Sequence, residues 1–316
     1  MTSRSISRRL AAPMALALAF GLAGCGVFGG KDKPSTPTVG NRVPILSRIE
    51  SGAKVDPAQA GVAVIVPPAA ANPDWAQAGG TASKSYGNLA LAAGPQRVWT
   101  VSIAGSSSSR RLAASPVIGG GQMFVMDTSG VVHAYDAATG RERWTRNFRI
   151  EGDSAPAVYG GGASYADGRV YITTGVGEVA ALEAADGKQV WKVKPSGPLR
   201  GSPTIAYNAV FVMTQDNQIV ALNAADGAVQ WTKAAASGQS GVFGVAAPAA
   251  GNGTVVAGYS TGELIAYRYE NGRELWSDAL ARTSLSTSVG VLTDVDADPI
   301  IDRGRVFALG QGGRMA

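Results

Sequence analysis

The 316-residue chain repeats nearly the same ten residues four times: "YDAATGRERW" from Tyr135, "LEAADGKQVW" from Leu182, "LNAADGAVQW" from Leu222 and "YRYENGRELW" from Tyr267. The register reaches beyond these words. A residue tolerant of positive φ stands at Gly130, Gly177, Asn217 and Gly262, and a Trp follows each by fourteen positions, at Trp144, Trp191, Trp231 and Trp276. Phe124, Tyr171, Phe211 and Val256 precede the same four turn residues by six. A Pro recurs upstream, at Pro116, Pro156, Pro203 and Pro248. Counting from Trp99, successive Trp spacings are 45, 47, 40 and 45 residues.

One repeat resolves into four short strands. "SPVI" from Ser115 reads as a strand whose Pro suits a strand start, "GGG" turns the chain, and "MFVMD" is a second strand. "TSG" makes a hairpin turn, "VVHAYDA" is a third strand, and "ATG" leads into a fourth, "RERWTRNF". Charged residues are only 16% and Gly numbers 42, which disfavours coiled coils and long surface helices. One four-stranded sheet cannot bury both of its faces, but neighbours packed radially can. A four-stranded unit repeated every ~40–50 residues therefore predicts an all-β fold, a β-propeller of antiparallel blades. In that fold the Asp-Gly, Thr-Gly or Asn-Gly pair turns between third and fourth strands, and Trp144, Trp191, Trp231 and Trp276 wedge between blades.

A fifth unit begins at "DPIIDRGRVFALGQGGRMA", with Phe307 and Gly313 in register. Its Trp would lie past the last residue, so the expectation is a chain that stops within a blade. "RVWTVSI", with Trp99, reads as a lone fourth strand that would complete the last blade of a full ring. "VAVIV", residues 62–66, reads as a strand laid against the main fold.

The first residues read as an address. Arg4, Arg8 and Arg9 precede the apolar run Leu10–Gly24, which is too short for the ~30 Å hydrocarbon core and is interrupted by Pro13. "LAGC" ends the run at Cys25, and small residues before a Cys resemble the lipobox of bacterial lipoproteins, in which the Cys thiol carries diacylglycerol. The alternative is a lone buried Cys beside an ordinary cleavage site. Cys25 is the only Cys, so no disulfide forms within the chain. Gly rather than Asp at position 26 points, by resemblance to sorted lipoproteins, to the outer membrane. The expected organisation is a signal peptide over 1–24, a flexible Gly-, Pro- and Ser-rich tether over 25–42, and the propeller over 43–316. The net charge of +5 owes three units to the leader arginines, and no basic patch implies nucleic acid.

The recurring A-x-D-A-x-[TD]-G-x-x-x-W resembles the PQQ-type, or tryptophan-docking, propeller repeat. With the lipobox and "DWAQAGG" (Asp74 to Gly80), the chain is similar to the BamB family, lipoproteins of the outer membrane β-barrel assembly machinery. The resemblance covers about residues 43–316 and implies eight blades in a full ring. It implies a non-catalytic scaffold, without cofactor, on the periplasmic face of the outer membrane, binding the barrel subunit BamA and aiding nascent barrel proteins. Two stretches look like the family's BamA-binding segments: "GPLRGSPT", with Leu199 and Arg200, and "LTDVDADPII", with Asp294 and Asp296. The family often has a second apolar residue where Gly197 stands here.

The residues themselves leave the role of these four open. Both stretches run from a blade's Trp to the next blade's Pro, so both emerge on one face of the propeller. Arg200, Asp294 and Asp296 either pair with one another across the channel mouth or bind a partner, and a network could do both.

The competing reading is a PQQ-dependent dehydrogenase or another small-ligand propeller. Such enzymes need an Asp base and a metal beside the quinone. Here His133 is the sole His, at a strand position held by Ala, Val or Ile in other repeats, which suits packing better than base chemistry. "DVDADP" has the Asp-x-Asp-x-Asp spacing of a calcium loop, yet its sixth position is Pro299 and its twelfth Arg305. No catalytic or metal-binding residue is assigned.

Overall fold

A computed structural model describes residues 57–59, 61–107, 112, 115–148, 160–236, 246–280, 294–310 and 314–316. Cys25, the tether, Pro156 and Gly313 lie outside the described residues. The chain divides into two units, Met1–Val64 and Ile65–Ala316. In the first, a short 3-10 turn spans Pro57–Gln59. Among the described residues no helix is long and apolar enough to cross a membrane.

The second unit is a succession of antiparallel four-stranded meanders. The first blade comprises β1 (Val117–Gly119), β2 (Gln122–Met126), β3 (Val131–Asp136) and β4 (Glu142–Asn147). The second comprises β5 (Gly161–Ala166), β6 (Arg169–Thr174), β7 (Val179–Glu183) and β8 (Gln189–Val193). The third comprises β9 (Thr204–Ala206), β10 (Ala209–Met213), β11 (Gln218–Asn223) and β12 (Val229–Ala234). The fourth comprises β13 (Ala249–Gly251), β14 (Thr254–Gly258), β15 (Glu263–Arg268) and β16 (Glu274–Ala279). A fifth begins with the hairpin β17 (Ile300–Asp302) and β18 (Arg305–Phe307), followed by β19 (Leu309–Gly310) and β20 (Arg314–Met315).

The middle strands are buried on both faces and carry the core. Val170 to Ile172, Val210 to Val212 and Val255 to Ala257 are each at most 3% exposed. Apolar clusters run from one blade into the next. Phe124 and Val132 of the first blade pack with Val170 and Leu182 of the second, and Tyr171 and Val179 of the second with Val210 and Leu222 of the third. Such contacts are what a lone sheet lacks and a radial stack supplies.

The repeated Trp occupies one structural position. Each stands across from an Ala on the third strand, at Ala134, Ala181, Ala221 and Ala266, where the pairing register also shifts by one residue. The small partner leaves room, and the bulge turns the indole toward the following blade. Trp144 Nε1 donates to Ala184 O at 2.9 Å, Trp191 Nε1 to Ala224 O at 3.0 Å, and Trp231 Nε1 to Tyr269 O at 2.8 Å. The rings lie on Gly187, Gly227 and Gly272, whose φ angles are +69°, +76° and +65°. A Cβ at any of the three would come within 2.7 Å of the indole, so glycine answers both the turn and the approach. Trp99 docks the same way, on Gly140 and on Ala137 O at 3.0 Å. Trp276 differs: it is 39% exposed, and among the described residues no turn receives it.

Two local expectations change. Residues 62–66 form no strand, and Val64 and Ile65 are 85% and 90% exposed. Residues 97–103, expected as a lone strand without blade partners in this chain, join no ladder among the described residues, and Trp99 docks. Pro156 is not the counterpart of Pro116, Pro203 and Pro248: β5 starts at Gly161, and Ala163 holds the matching place fourteen before the turn residue. A strand start tolerates proline but does not require it, so the motif match at residue 156 was fortuitous.

Candidate docking site where two connections meet

The connections that leave a blade's fourth strand and enter the next blade's first strand share one end of the propeller with the second-to-third turns, because each blade is an antiparallel meander. Leu199 and Arg200 lie on the connection into β9, and Asp294 and Asp296 on the connection into β17. Leu199 is fully buried and bridges Thr214, while Arg200 N donates to Met213 O at 2.8 Å. Arg200 O accepts the Gly161 amide at 3.0 Å. A Cβ at Gly160 would stand 2.5 Å from Leu199 O, so this glycine lets the connection lie against the second blade.

Arg200 and Asp296, 96 residues apart in sequence, meet side chain to side chain: Nη2 lies 3.3 Å from Oδ1. The Arg200 side chain is 3% exposed and the Asp296 side chain 29%. Burial pushes the Arg200 pKa down, against the opposing pull of Asp296, Asp294 and Tyr259. Burial also pushes the Asp296 carboxyl up, Asp294 adds to this, and Arg200 counters it. Arg200 Nη1 is buried without a hydrogen-bond partner among the described residues, a costly state for a charged donor. Asp294 is fully buried beside them. The third Asp of the run, Asp298, accepts the Ala247 amide at 2.7 Å, so Asp296 and Asp298 serve separate protein partners. The structure thus brings together Arg200, Asp294 and Asp296, and places Leu199 beneath them in the core.

His133 lies in β3 with Nε2 3.0 Å from Asp127 Oδ2, and its ring stacks on Tyr135. Asp127 Oδ1 also accepts the amides of Ser129 and Val131, so the His closes a turn that is already organised. At the other end of the strands a cleft of about 890 Å3 opens beside the stacked pair Tyr207 and Tyr269, whose ring centroids are 4.2 Å apart.

The feature that sequence reasoning missed is the axial segment Trp75 to Ser85. It crosses the first strands of the five described blades and takes one amide from each. Ile118 N donates to Trp75 O at 2.8 Å, Tyr165 N to Ala76 O at 2.7 Å, Ala250 N to Ala82 O at 2.8 Å and Ile301 N to Ser83 O at 2.8 Å. Ile205 N donates to Gln77 Oε1 and Gln77 Nε2 donates to Ile205 O, both at 2.9 Å. The five donors share one register position, twelve residues before Gly130, Gly177, Asn217, Gly262 and Gly313. A tight turn at Gly79 and Gly80 (φ +74° and +89°) redirects the segment between the third and fourth blades. Lys84 is 2% exposed, and its Nζ donates to Ala78 O at 2.7 Å and Thr204 Oγ1 at 3.3 Å. Burial lowers its pKa from 10.5 to about 8, with Asp298 pulling the other way.

Blades joined by indoles docked on glycines, with a polar cluster where two long connections meet, define the class: a β-propeller of the PQQ-like, tryptophan-docked type. The sequence profile described as "Outer membrane protein assembly factor BamB" matches residues 88–163 and 159–316. The chain belongs to the BamB family. BamB of Shigella dysenteriae is 34% identical over 224 residues, covering 70% of this chain and 57% of that protein. BamB of Escherichia coli is 33% identical over 224 residues, with the same coverage of 70% and 57%. The crystal structure of BamB from Moraxella catarrhalis superposes with a TM-score of 0.57 at 24% identity, covering 67% of this chain and 62% of that one. A europium-containing methanol dehydrogenase has a TM-score of 0.59 at 14% identity over 77% of this chain and 55% of that one, a likeness of fold alone. The chain spans somewhat more than half the length of these curated relatives.

Proposed function

We propose that the protein is a non-catalytic scaffold of the outer membrane β-barrel assembly machinery, docking BamA through the Arg200 and Asp296 cluster and aiding the insertion of nascent barrel proteins. In this reading Cys25 carries the lipid that holds the propeller at the periplasmic face of the outer membrane. The observation that carries the reading is the convergence of Arg200 and Asp296 on one face. The propeller fixes their positions, so a partner meets a preorganised charged surface. Asp296, the more exposed member, is the group a partner reaches first, and the buried Arg200 holds it in place. Leu199 supports the loop from below.

Asp296→Asn tests this. It keeps an oxygen acceptor for Arg200 and removes the charge. BamA is expected to be lost from the co-purified fraction while thermal unfolding changes little. Full retention of BamA would count against the site. Stoichiometric binding of PQQ with alcohol-dependent dye reduction would count against the non-catalytic reading.

A further inference from the structure

We propose that Lys84 is a positioning residue for the docking site, holding the Arg200 connection and the Asp294-to-Asp298 connection in mutual register from the buried axial segment. The inference rests on the docking reading above.

The geometry forms a closed circuit. Lys84 Nζ donates to Thr204 Oγ1, four residues after Arg200. Thr204 Oγ1 in turn donates to Pro248 O at 2.5 Å, and the adjacent Ala247 amide donates to Asp298. Asp298 lies two residues from Asp296, which returns to Arg200. Gln77 clamps Ile205, next to Thr204, through both of its amide atoms. Lys84 and Thr204 are almost fully buried, at 2% and 0% exposure, so their placement is set by these partners rather than by water. A flexible hydrophobic residue could fill the same volume, but it could not attract Asp298. The charged groups around the ammonium come from two connections: Asp298, with Asp294 and Asp296 on the same segment, and Arg200 on the segment into β9. Asp302 of β17 is held one residue along, by Ser85 Oγ at 2.8 Å.

A merely structural lysine and a positioning lysine differ in their response to pH. Deprotonation relieves the cost of a buried charge and so stabilises the fold. The same event removes the pull on Asp298 and loosens the docking cluster. Stability and affinity therefore move in opposite directions, which a packing role does not produce.

The test is BamA affinity of the full chain across the pH range around 8, where Lys84 titrates, for the wild type, Lys84→Met and Lys84→Arg. Wild-type affinity is expected to fall about tenfold as pH rises, within the usual range of coupling between sites. Lys84→Met should be weak and flat with pH. Lys84→Arg, which stays charged, should be strong and flat. The wild-type profile needs no variant to fold. A flat wild-type profile, or a Lys84→Met protein that binds as tightly as the wild type, overturns this inference and leaves the docking site standing. Absence of BamA binding by the wild type at every pH overturns the docking reading and this inference together.

Discussion

The indole Nε1 of Trp144 donates to the carbonyl of Ala184, 40 residues further along, while its ring covers Gly187. The same relationship recurs for Trp191 and Trp231, one blade on each time. Each indole thus ties its own blade to the turn between third and fourth strands of the next, and the rigid face that carries Arg200 and Asp296 is a consequence.

The glycine beneath the indole is the first place to test this. Gly187→Ala adds a Cβ 2.6 Å from the Trp144 ring at a φ of +69°. Gly168→Ala meets nothing within 4 Å at a φ of +77°. The second substitution should cost only the left-handed backbone, about 1–2 kcal/mol, and the first about 1–3 kcal/mol more for the forced shift. Urea unfolding of both variants measures the difference.

The wedges should not be equivalent. Trp191 is 8% exposed and Trp276 39%. Trp191→Ala should destabilise by about 3–5 kcal/mol, the usual cost of emptying a buried aromatic site. Trp276→Ala should cost clearly less, because its ring meets fewer neighbours. Equal losses in denaturant titrations would contradict the docking geometry.

Gln77 is the side chain that secures the third blade to the axial segment. Gln77→Leu leaves the buried amide and carbonyl of Ile205 without those partners. A loss of about 2–4 kcal/mol is expected from two unsatisfied backbone groups. Hydrogen exchange at the Ile205 amide should rise in the same variant.

Lys84 gives the fold a pH signature. Its pKa is lowered from 10.5 to about 8 by burial. The unfolded chain therefore holds more protons between these values, and stability rises with pH through that window. Below about pH 8 both states are protonated and the full cost of the buried charge is present. The rise should be on the order of 3 kcal/mol at most, and absent in Lys84→Met. Thermal unfolding of the two proteins across that window reads it directly.

The repeat was legible because indole, glycine and aromatic recur at fixed spacings, and each spacing answers a steric demand. The strands of the first blade fall within one or two residues of the pattern's bounds. The charged cluster was legible only by resemblance, and its pairing became visible only when two connections far apart in sequence met. The axial segment was hidden for a physical reason. It offers mostly backbone carbonyls, which every residue carries, so "AQAGGTAS" has no periodicity to betray it. "DWAQAGG" marked it only as a resemblance, and Lys84, a lone cation in a run of small residues, was its one chemical signal. The strand expected at residues 62–66 does not form because a short apolar run alone does not supply a ladder partner.

In the proposed docking, Asp296 held by Arg200 faces BamA rather than merely bonding its neighbour, and a charge exchange separates the two possibilities. Arg200→Asp alone should lower both unfolding temperature and BamA affinity. Combined with Asp296→Arg, the reversed pair should recover most of the stability, while BamA affinity stays lost because the partner now meets inverted charges. Recovery of BamA binding together with stability in the double variant would show that the pair only bonds itself.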